Sequence, residues 1–546
     1  MIGIGQDPKL EHLRRRVLHY AREFGMTLPE MRFFLLDSEE FMSVLEKGVF
    51  PRSPTNMWEG KEVITRRNRV QIGLEPGTYY EVVQCGNPSY AYLNSDNNLV
   101  NQASVMAHVC GHAEFSEINV LNDSEQDRTE RVMWLARQVE LAERFLGSVE
   151  YRRYWNAAAS VTQFTHPKSQ YNLKNAVEHD NIVPEDMRVS DEDKPPPITY
   201  YSSAINELYG DGNEDTVRHR IAEEQKRRLQ RIQMSRSGYR IKAPCEDVFG
   251  FLAEHAPANV AERDILKYLY AVNKNDEFVR RTQIMNEGWC MYWESKIMRK
   301  LFAEKAVTGV LDYCRTFAGV CSPRPWFMRN PYHLGYVMWK QIEEDYKKGK
   351  ISMDYVTEKD VDTKSQWDRP PEGDAVDFLR HLVRTITDYE FLRRYLTDEL
   401  IIKFHLNRIP MRMAERGMYL PPDQILKHDK DWVWVKPDNI KQEMLQVFTH
   451  FNRPRIYVVD NDYAGEGGLL LYHRNDDLGL LKQDWIEPTM RHIAKLWKAP
   501  VYLMTYDEDD DGVLVSLSKS KFDRDECDYL DFDAVRHIIR TGRRFA

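Results

Sequence analysis

Residues 106 to 115 read "MAHVCGHAEF", which places His108 and His112 four apart in a run that is otherwise mostly apolar or small. Successive helical residues turn by about 100°, so on a helix His108, His112, Phe115 and Asn119 share one stripe. Two imidazoles so placed can meet a single ion, as the histidine pair of the H-E-x-x-H metallohydrolases does. In that motif the Glu after the first His is the general base, and here the position is Val109. Glu114 is close in sequence but points roughly 200° away from His112 on an unbroken helix. Two hydrogen-bonded core histidines would show the same spacing, so the pair alone leaves both readings open.

The run "MNEGWCMYWESKI" supplies carboxylates. Glu287 and Glu294 are seven apart, two helical turns, so both project from one face with Met291 between them; Trp289 and Trp293 lie on an adjoining face. A third ligand from this helix would complete the His-His-Glu set that leaves zinc a position for water. The competing reading is an aromatic core of Trp289, Tyr292, Trp293 and Ile297, with Glu287 paired to an arginine such as Arg281. Cys110 and Cys290, one from each segment, either add a soft ligand or pack as buried thiols. No nucleophile elbow, phosphate-binding glycine loop or dinucleotide fingerprint occurs, and "DEDDDG" at 507 to 512 lacks the ligand alternation of a calcium loop.

Helices must position these groups. Leu10, Leu13, Val17, Leu18 and Ala21 recur at helical spacing, and "MRFFLLD" after them reads as a strand. Gly86 to Asn98 is turn-rich and leads into a helix from about Leu99 that carries both histidines. A charged helix follows, with Ser124 as its predicted N-cap. Residues 178 to 215 are polar, acidic and interrupted by Pro, as an exposed insertion would be, and the Arg- and Lys-rich segment after them reads as a solvated helix of mixed charge. Helical patterns dominate from 245 to 420. "RIYVVD", "GLLLYHR", "PVYLMTY" and "GVLVSLS" are strand-like, with "WIEPTMRHIAKLWKA" helical and "DNDYAGEGG" a hairpin turn. The predicted fold is a mainly α N-terminal domain over 1–424 and a small α+β domain over 425–546.

Composition bounds the function. The chain has 546 residues, 42% of them hydrophobic, enough for a sizeable core. Lys and Arg number 76 against 85 Asp and Glu, and the net charge of −9 gives no general attraction to nucleic acid or anionic lipid. No window approaches the roughly 18 apolar residues of a membrane span, and the N-terminus lacks the apolar core of a secretory signal, so the expected location is the cytoplasm. Cys85, Cys110, Cys245, Cys290, Cys314, Cys321 and Cys527 are scattered, which argues for reduced thiols.

On "NPSYAYLNSDNNLVNQASVMAHVCGHAEF", "FLAEHAP", "TQIMNEGWCMYWESKI", "NPYHLGYVMWKQIE", "RRYLTDELI" and "GLLLYHRND" the sequence resembles the stage V sporulation protein R (SpoVR) family. The family's first motif, A-H-V-x-G-H-x-D/E-F-F-x-x-N, maps onto Ala107, His108, Val109, Gly111, His112, Glu114, Phe115 and Asn119, with Ser116 in place of the second Phe. Its second, M-N-E-G-W-A-x-x-W-H, maps onto Met285, Asn286, Glu287, Gly288, Trp289 and Trp293. Here Cys290 replaces Ala and Glu294 replaces His. E-G-W followed by an aromatic is also similar to the third-ligand helix of gluzincin peptidases, so a gluzincin-like helical core is a further expectation.

The resemblance implies a link to sporulation or stress response, and neighbours that include a serine protein kinase and a von Willebrand-type protein. Together with the residues it leads to a metal-dependent hydrolase that cleaves an amide in a peptide or peptidoglycan stem. A divalent metal, zinc, would sit on His108, His112 and Glu287, with Glu294 as an extra or supporting ligand and Glu114 or another acid as base. His166, His255 and His333 are further candidates to converge there. The alternative is a non-catalytic adaptor for the kinase system.

Overall fold

The computed structural model describes residues 2–37, 40–41, 82–122, 128–166, 245–415, 422–451, 453–463, 467–475, 479–509, 511–518, 521–527 and 535. Ser124, the 178–215 insertion and the basic segment after it lie outside the described residues. Two compact units emerge: one from the described residues up to 130 with Phe278–Phe451, the other from those of Arg131–Glu277 and Asn452–Ala546.

In the first unit, β1 (Ile2–Gly3), α1 (Pro8–Glu23), β2 (Met31–Leu36), β3 (Val82–Gln84) and β4 (Ser89–Asn94) precede α2 (Leu99–Ile118). The Asp7 side chain caps α1 by accepting from the amides of Lys9 and Leu10, with Pro8 in the first turn. The strands form one sheet in the order β1-β2-β4-β3, in which β2 and β4 run parallel from Met31 opposite Ser89 to Leu36 opposite Asn94. The sequence reading treated Gly86 to Asn98 as turns; Ser89–Asn94 is a strand, because Ser89, Ala91 and Leu93 turn one face into the core while Tyr90 and Tyr92 flank it.

α2 is buried on nearly every side, from Val100 through Ser116 with few gaps. Its Ala, Ser and Gly residues leave no polar face, so the helix can only sit inside the protein. Asn98 caps its start by accepting from the Asn101 amide; at its end the Asn119 backbone N–H donates to the Phe115 carbonyl, and the Asn119 side-chain Nδ2 donates to the Val383 carbonyl at 2.5 Å.

The second unit begins with α3 (Arg128–Leu146; its first residues belong to the first unit), α4 (Ser148–Val161) and α5 (Val248–His255). α6 (Val260–Ala303) has its residues up to Glu277 in the second unit and its residues from Phe278 in the first. The first unit continues with α7 (Val310–Val320), α8 (Pro331–Lys347), α9 (Ala375–Thr385), α10 (Asp388–Tyr395) and α11 (Asp398–Lys403). It closes with β5 (Arg408–Pro410), β6 (Ile425–His428), β7 (Trp432–Val435) and α12 (Ile440–His450), the strands pairing as β5-β7-β6.

Val433, Val435, Ile440, Met444 and Phe448 belong to the same core cluster as α2. Residues 425–451, which the sequence reading grouped with the tail, thus pack in the first unit.

The remaining chain forms the five-stranded sheet β12-β11-β10-β9-β8 of the second unit, with β8 (Arg455–Tyr463), β9 (Gly468–Arg474), β10 (Val501–Tyr506), β11 (Gly512–Ser518) and β12 (Lys521–Glu526). β8 and β9 are the expected hairpin, and β9 reaches its parallel neighbour β10 through α13 (Gln483–Trp497), the one helix read in the tail. Of the acidic "DEDDDG" run, Asp507–Asp509 and Asp511 lie between antiparallel β10 and β11, and Gly512 opens β11. A mainly helical N-terminal region followed by a small α+β region is therefore the observed class. Among the described residues, no helix is long and apolar enough to cross a membrane.

Candidate metal centre

Two close helix contacts build the site. A Cβ on Gly111 of α2 would lie 2.6 Å from the Cys290 Cα, so only glycine lets α2 and α6 approach there. One residue on from Glu287, a Cβ on Gly288 would meet the Gly335 Cα of α8 at 2.3 Å. The glycines inside H-x-x-G-H and N-E-G-W are the points at which three helices touch, and the ligand candidates flank them.

His108 and His112 face α6, their rings 5.0 Å apart. The His108 Nδ1 lies 2.9 Å from the Glu294 Oε2, and the Ser104 hydroxyl, one turn earlier, donates to the other Glu294 oxygen at 2.5 Å. The His112 Nδ1 lies 2.9 Å from the Asn286 Oδ1. An amide oxygen only accepts, so His112 carries a proton on Nδ1, and in the neutral ring Nε2 then keeps the lone pair; a carboxylate does the same for His108.

Both Nε2 atoms turn to one carboxylate oxygen, the Glu287 Oε2, at 3.6 Å from His108 and 3.5 Å from His112. These separations are too long for hydrogen bonds, and the Glu287 Oε2 makes none although it is shielded from solvent. Donors at zinc distances of about 2.0–2.2 Å in a tetrahedral arrangement lie roughly 3.3–3.5 Å apart. The two nitrogen–oxygen separations match that spacing, with each imidazole oriented from behind as metal-bound histidines are; among the described residues, the group whose ligand atoms all lie within 4.8 Å of one another is His108, His112 and Cys290. The residues present fit a divalent metal.

Burial pushes the Glu287 carboxyl up, but the imidazoles of His112 and His108 and the Tyr332 hydroxyl outweigh it and hold the group below its ordinary value. The side chain keeps 16% exposure, so the site has an open edge. Tyr332, in the first turn of α8 after the Asn330 cap, packs its ring 6.0 Å from His108.

Of the predicted residues, His108, His112, Glu287 and Glu294 come together, with Glu294 behind His108. Glu114 does not join them. Its carboxylate takes the Thr27 amide at 3.1 Å, the Trp289 indole at 3.0 Å and the Arg380 Nε at 3.1 Å, fully buried on another face of α2. Burial raises its pKa against the pull of Arg380. The expectation of Glu114 as base is corrected: the helical phase that turned it from His112 delivers it to a structural ion pair.

Arg281 lies against the Phe451 ring at 5.7 Å, while the Glu287 carboxylate faces His108 and His112. His333 faces His405, and burial lowers its pKa to about 4. His166 and His255 belong to the second unit, where the His166 amide donates to Asp247 and His255 packs on Phe251.

Ser104, Asn286 and Tyr332 went unread as functional residues. Ser104 precedes His108 by one turn and Asn286 precedes Glu287, so spacing could have flagged both. Tyr332 carried no signal in its segment.

A third carboxylate steadies the ligand helix. Asp388, at the start of α10, accepts from the Ile284 and Met285 amides of α6 at 2.8 and 2.9 Å, and the Trp339 indole donates to the Met285 carbonyl at 2.9 Å. Burial raises the Asp388 carboxyl to about 7 against the opposing pull of those amides and of Arg329.

Comparison with known proteins follows the same residues. The family described as "SpoVR like protein" matches residues 6–447, and "SpoVR-like C-terminal domain" matches 454–508. An Escherichia coli (strain K12) protein described as "Uncharacterized protein YcgB" is 23% identical over 486 residues, covering 87% of each chain. No solved structure matches. With family matches spanning both the helical region that holds His108, His112 and Glu287 and the tail that follows it, the chain belongs to the SpoVR family.

Proposed function

We propose that this protein is a divalent-metal-dependent hydrolase, with zinc held by His108, His112 and Glu287 and an amide bond as its substrate. The observation that carries the reading is the Glu287 Oε2, shielded from solvent, without a hydrogen bond, and 3.5 and 3.6 Å from two imidazole nitrogens whose ring partners turn them toward it. A metal bound there supplies Lewis-acid polarisation of a carbonyl and acidifies a water. The chain's own residues do the rest: Glu294 and Asn286 orient the imidazoles, the open edge of Glu287 admits substrate, and Tyr332 presents a phenol beside the carboxylate. The reading extends to an amide of a peptide or peptidoglycan stem through the family resemblance and the gluzincin-like E-G-W run.

The test is elemental mass spectrometry on the full chain purified without a histidine tag, beside a panel of peptide and peptidoglycan-stem amides. Near-stoichiometric zinc and an amide cleaved by the wild type, with both lost in His108→Ala/His112→Ala, are the expected results. Metal-free wild-type protein that stays folded would overturn the site; bound metal with every amide intact would overturn the reaction.

The second reading, an adaptor for a serine protein kinase and a von Willebrand-type protein in stress response or sporulation, has its own support. Met133, Trp134, Phe145 and Val149 of the second unit are exposed apolar side chains that a protein partner could cover. Co-purification with the kinase that Trp134→Ser/Phe145→Ser abolishes would favour it.

A further inference from the structure

We infer that Cys290 is a fourth protein ligand of the same metal, so that the site rests closed and takes a thiophilic ion. This rests on the metal reading above and deepens it.

Cys290 follows Glu287 by three residues on α6, so its side chain leaves the same face of the helix. Its Sγ lies within 4.8 Å of a ring nitrogen of each histidine, and it is fully buried; the Glu287 carboxylate stands outside that group and has to close on the ion to complete the set. The thiol donates toward the Asn286 Oδ1 at 3.8 Å, the same oxygen that orients His112. Cys290 also presses on Gly111, where an added Cβ would meet the Sγ at 3.0 Å, so the helix contact that brings the histidines to α6 also holds the sulfur beside them.

Cys110, one residue from Gly111, makes a useful contrast: it is equally buried, but it is not part of the cluster. Among the described residues, Cys290 is the cysteine that joins a group of nitrogen donors.

When the ion binds, the thiol proton leaves for solvent and the sulfur–metal bond forms, giving a set of two imidazoles, one carboxylate and one thiolate. Four protein ligands describe a closed site, and three an open one. Displacement of the Cys290 sulfur, with Glu287 and the histidines left in place, would open the position a substrate carbonyl or water needs. A thiolate also selects zinc or cobalt over magnesium or manganese, which prefer oxygen.

Cobalt(II) is the probe. The full chain is stripped with chelator, reloaded with cobalt and read by absorption. Wild type should show visible bands of a tetrahedral ion and a near-ultraviolet thiolate-to-cobalt charge-transfer band. Cys290→Ala, which fits against Gly111 without added bulk, should keep the visible bands, lose the charge-transfer band and bind zinc at least roughly tenfold more weakly, since even indirect partners of a ligand cost that much. Cys110→Ala should leave both bands unchanged.

Cobalt uptake without the charge-transfer band in wild type, or a band that survives Cys290→Ala, overturns the Cys290 assignment and leaves the three-ligand site standing. Failure of folded wild type to take up cobalt or zinc overturns the metal reading and this inference with it. Because the wild-type spectrum alone decides the sulfur question, poor folding of a variant does not blunt the test.

Discussion

Glu114 and Glu287 are both carboxylates in the α2–α6 packing, and the protein treats them oppositely. Glu114 is saturated by an amide, an indole and a guanidinium. Glu287 has two imidazoles near one oxygen and no hydrogen bond to that oxygen. A buried charge survives only where something compensates it. At Glu114 the compensation is built into the chain, whereas under the proposed function Glu287 with its histidines would take it from a bound cation. Under that proposal the difference separates a structural ion pair from a ligand set, although both residues stand beside the family's motif glycine or histidine.

Breaking the structural member should have the largest effect. Glu114→Ala leaves the Arg380 guanidinium buried beside Trp293 with only the Phe24 carbonyl and the Asp377 carboxylate near it. It should lower unfolding stability by about 3–5 kcal/mol in urea titrations, while zinc per folded chain stays at the wild-type level. Loss of metal with stability intact would invert the assignment of the two carboxylates.

Asp388 tests the same contrast by pH. Its folded pKa, about 7, lies above the ordinary aspartate value of 3.8, so the folded state binds the proton more tightly. Stability from this group is full below pH 4 and falls as pH rises toward 7. The stability of wild type minus that of Asp388→Asn should decline by up to about 4 kcal/mol between pH 4 and 8. A flat difference in denaturation midpoints across that range would show that Asp388 does not titrate there.

A smaller effect belongs to the support behind His108. Glu294→Gln keeps the volume and one acceptor but removes the charge behind the ring, and should weaken zinc binding by about 10–100-fold in chelator competition with little change in melting. An unchanged affinity would mean that Glu294 serves only to satisfy Ser104. Smallest of all should be Arg491→Ala, which removes a surface pair with Glu487 in the second unit, at 2.5 Å and nearly half exposed; it should shift stability by less than about 1 kcal/mol.

Much of this was legible before folding was considered. The i, i+4 spacing of His108 and His112 and the seven-residue spacing of Glu287 and Glu294 determine which side chains share a helical face, because helix geometry is local. The tail strands and their helix could be read for the same reason, and Glu114 could be seen to point away from His112. What spacing cannot specify is what waits on the far side of each face. Arg380 reaches Glu114 across 266 positions and Glu294 reaches His108 across 186, so whether a carboxylate becomes salt bridge, support or ligand is decided by tertiary packing. The Gly111–Cys290 and Gly288–Gly335 contacts set that packing: the sequence by itself determined the residues and their phase on each helix, and only the close approach of α2, α6 and α8 decided which atoms converge, since bonds between distant segments depend on how helices meet and not on the order of their residues.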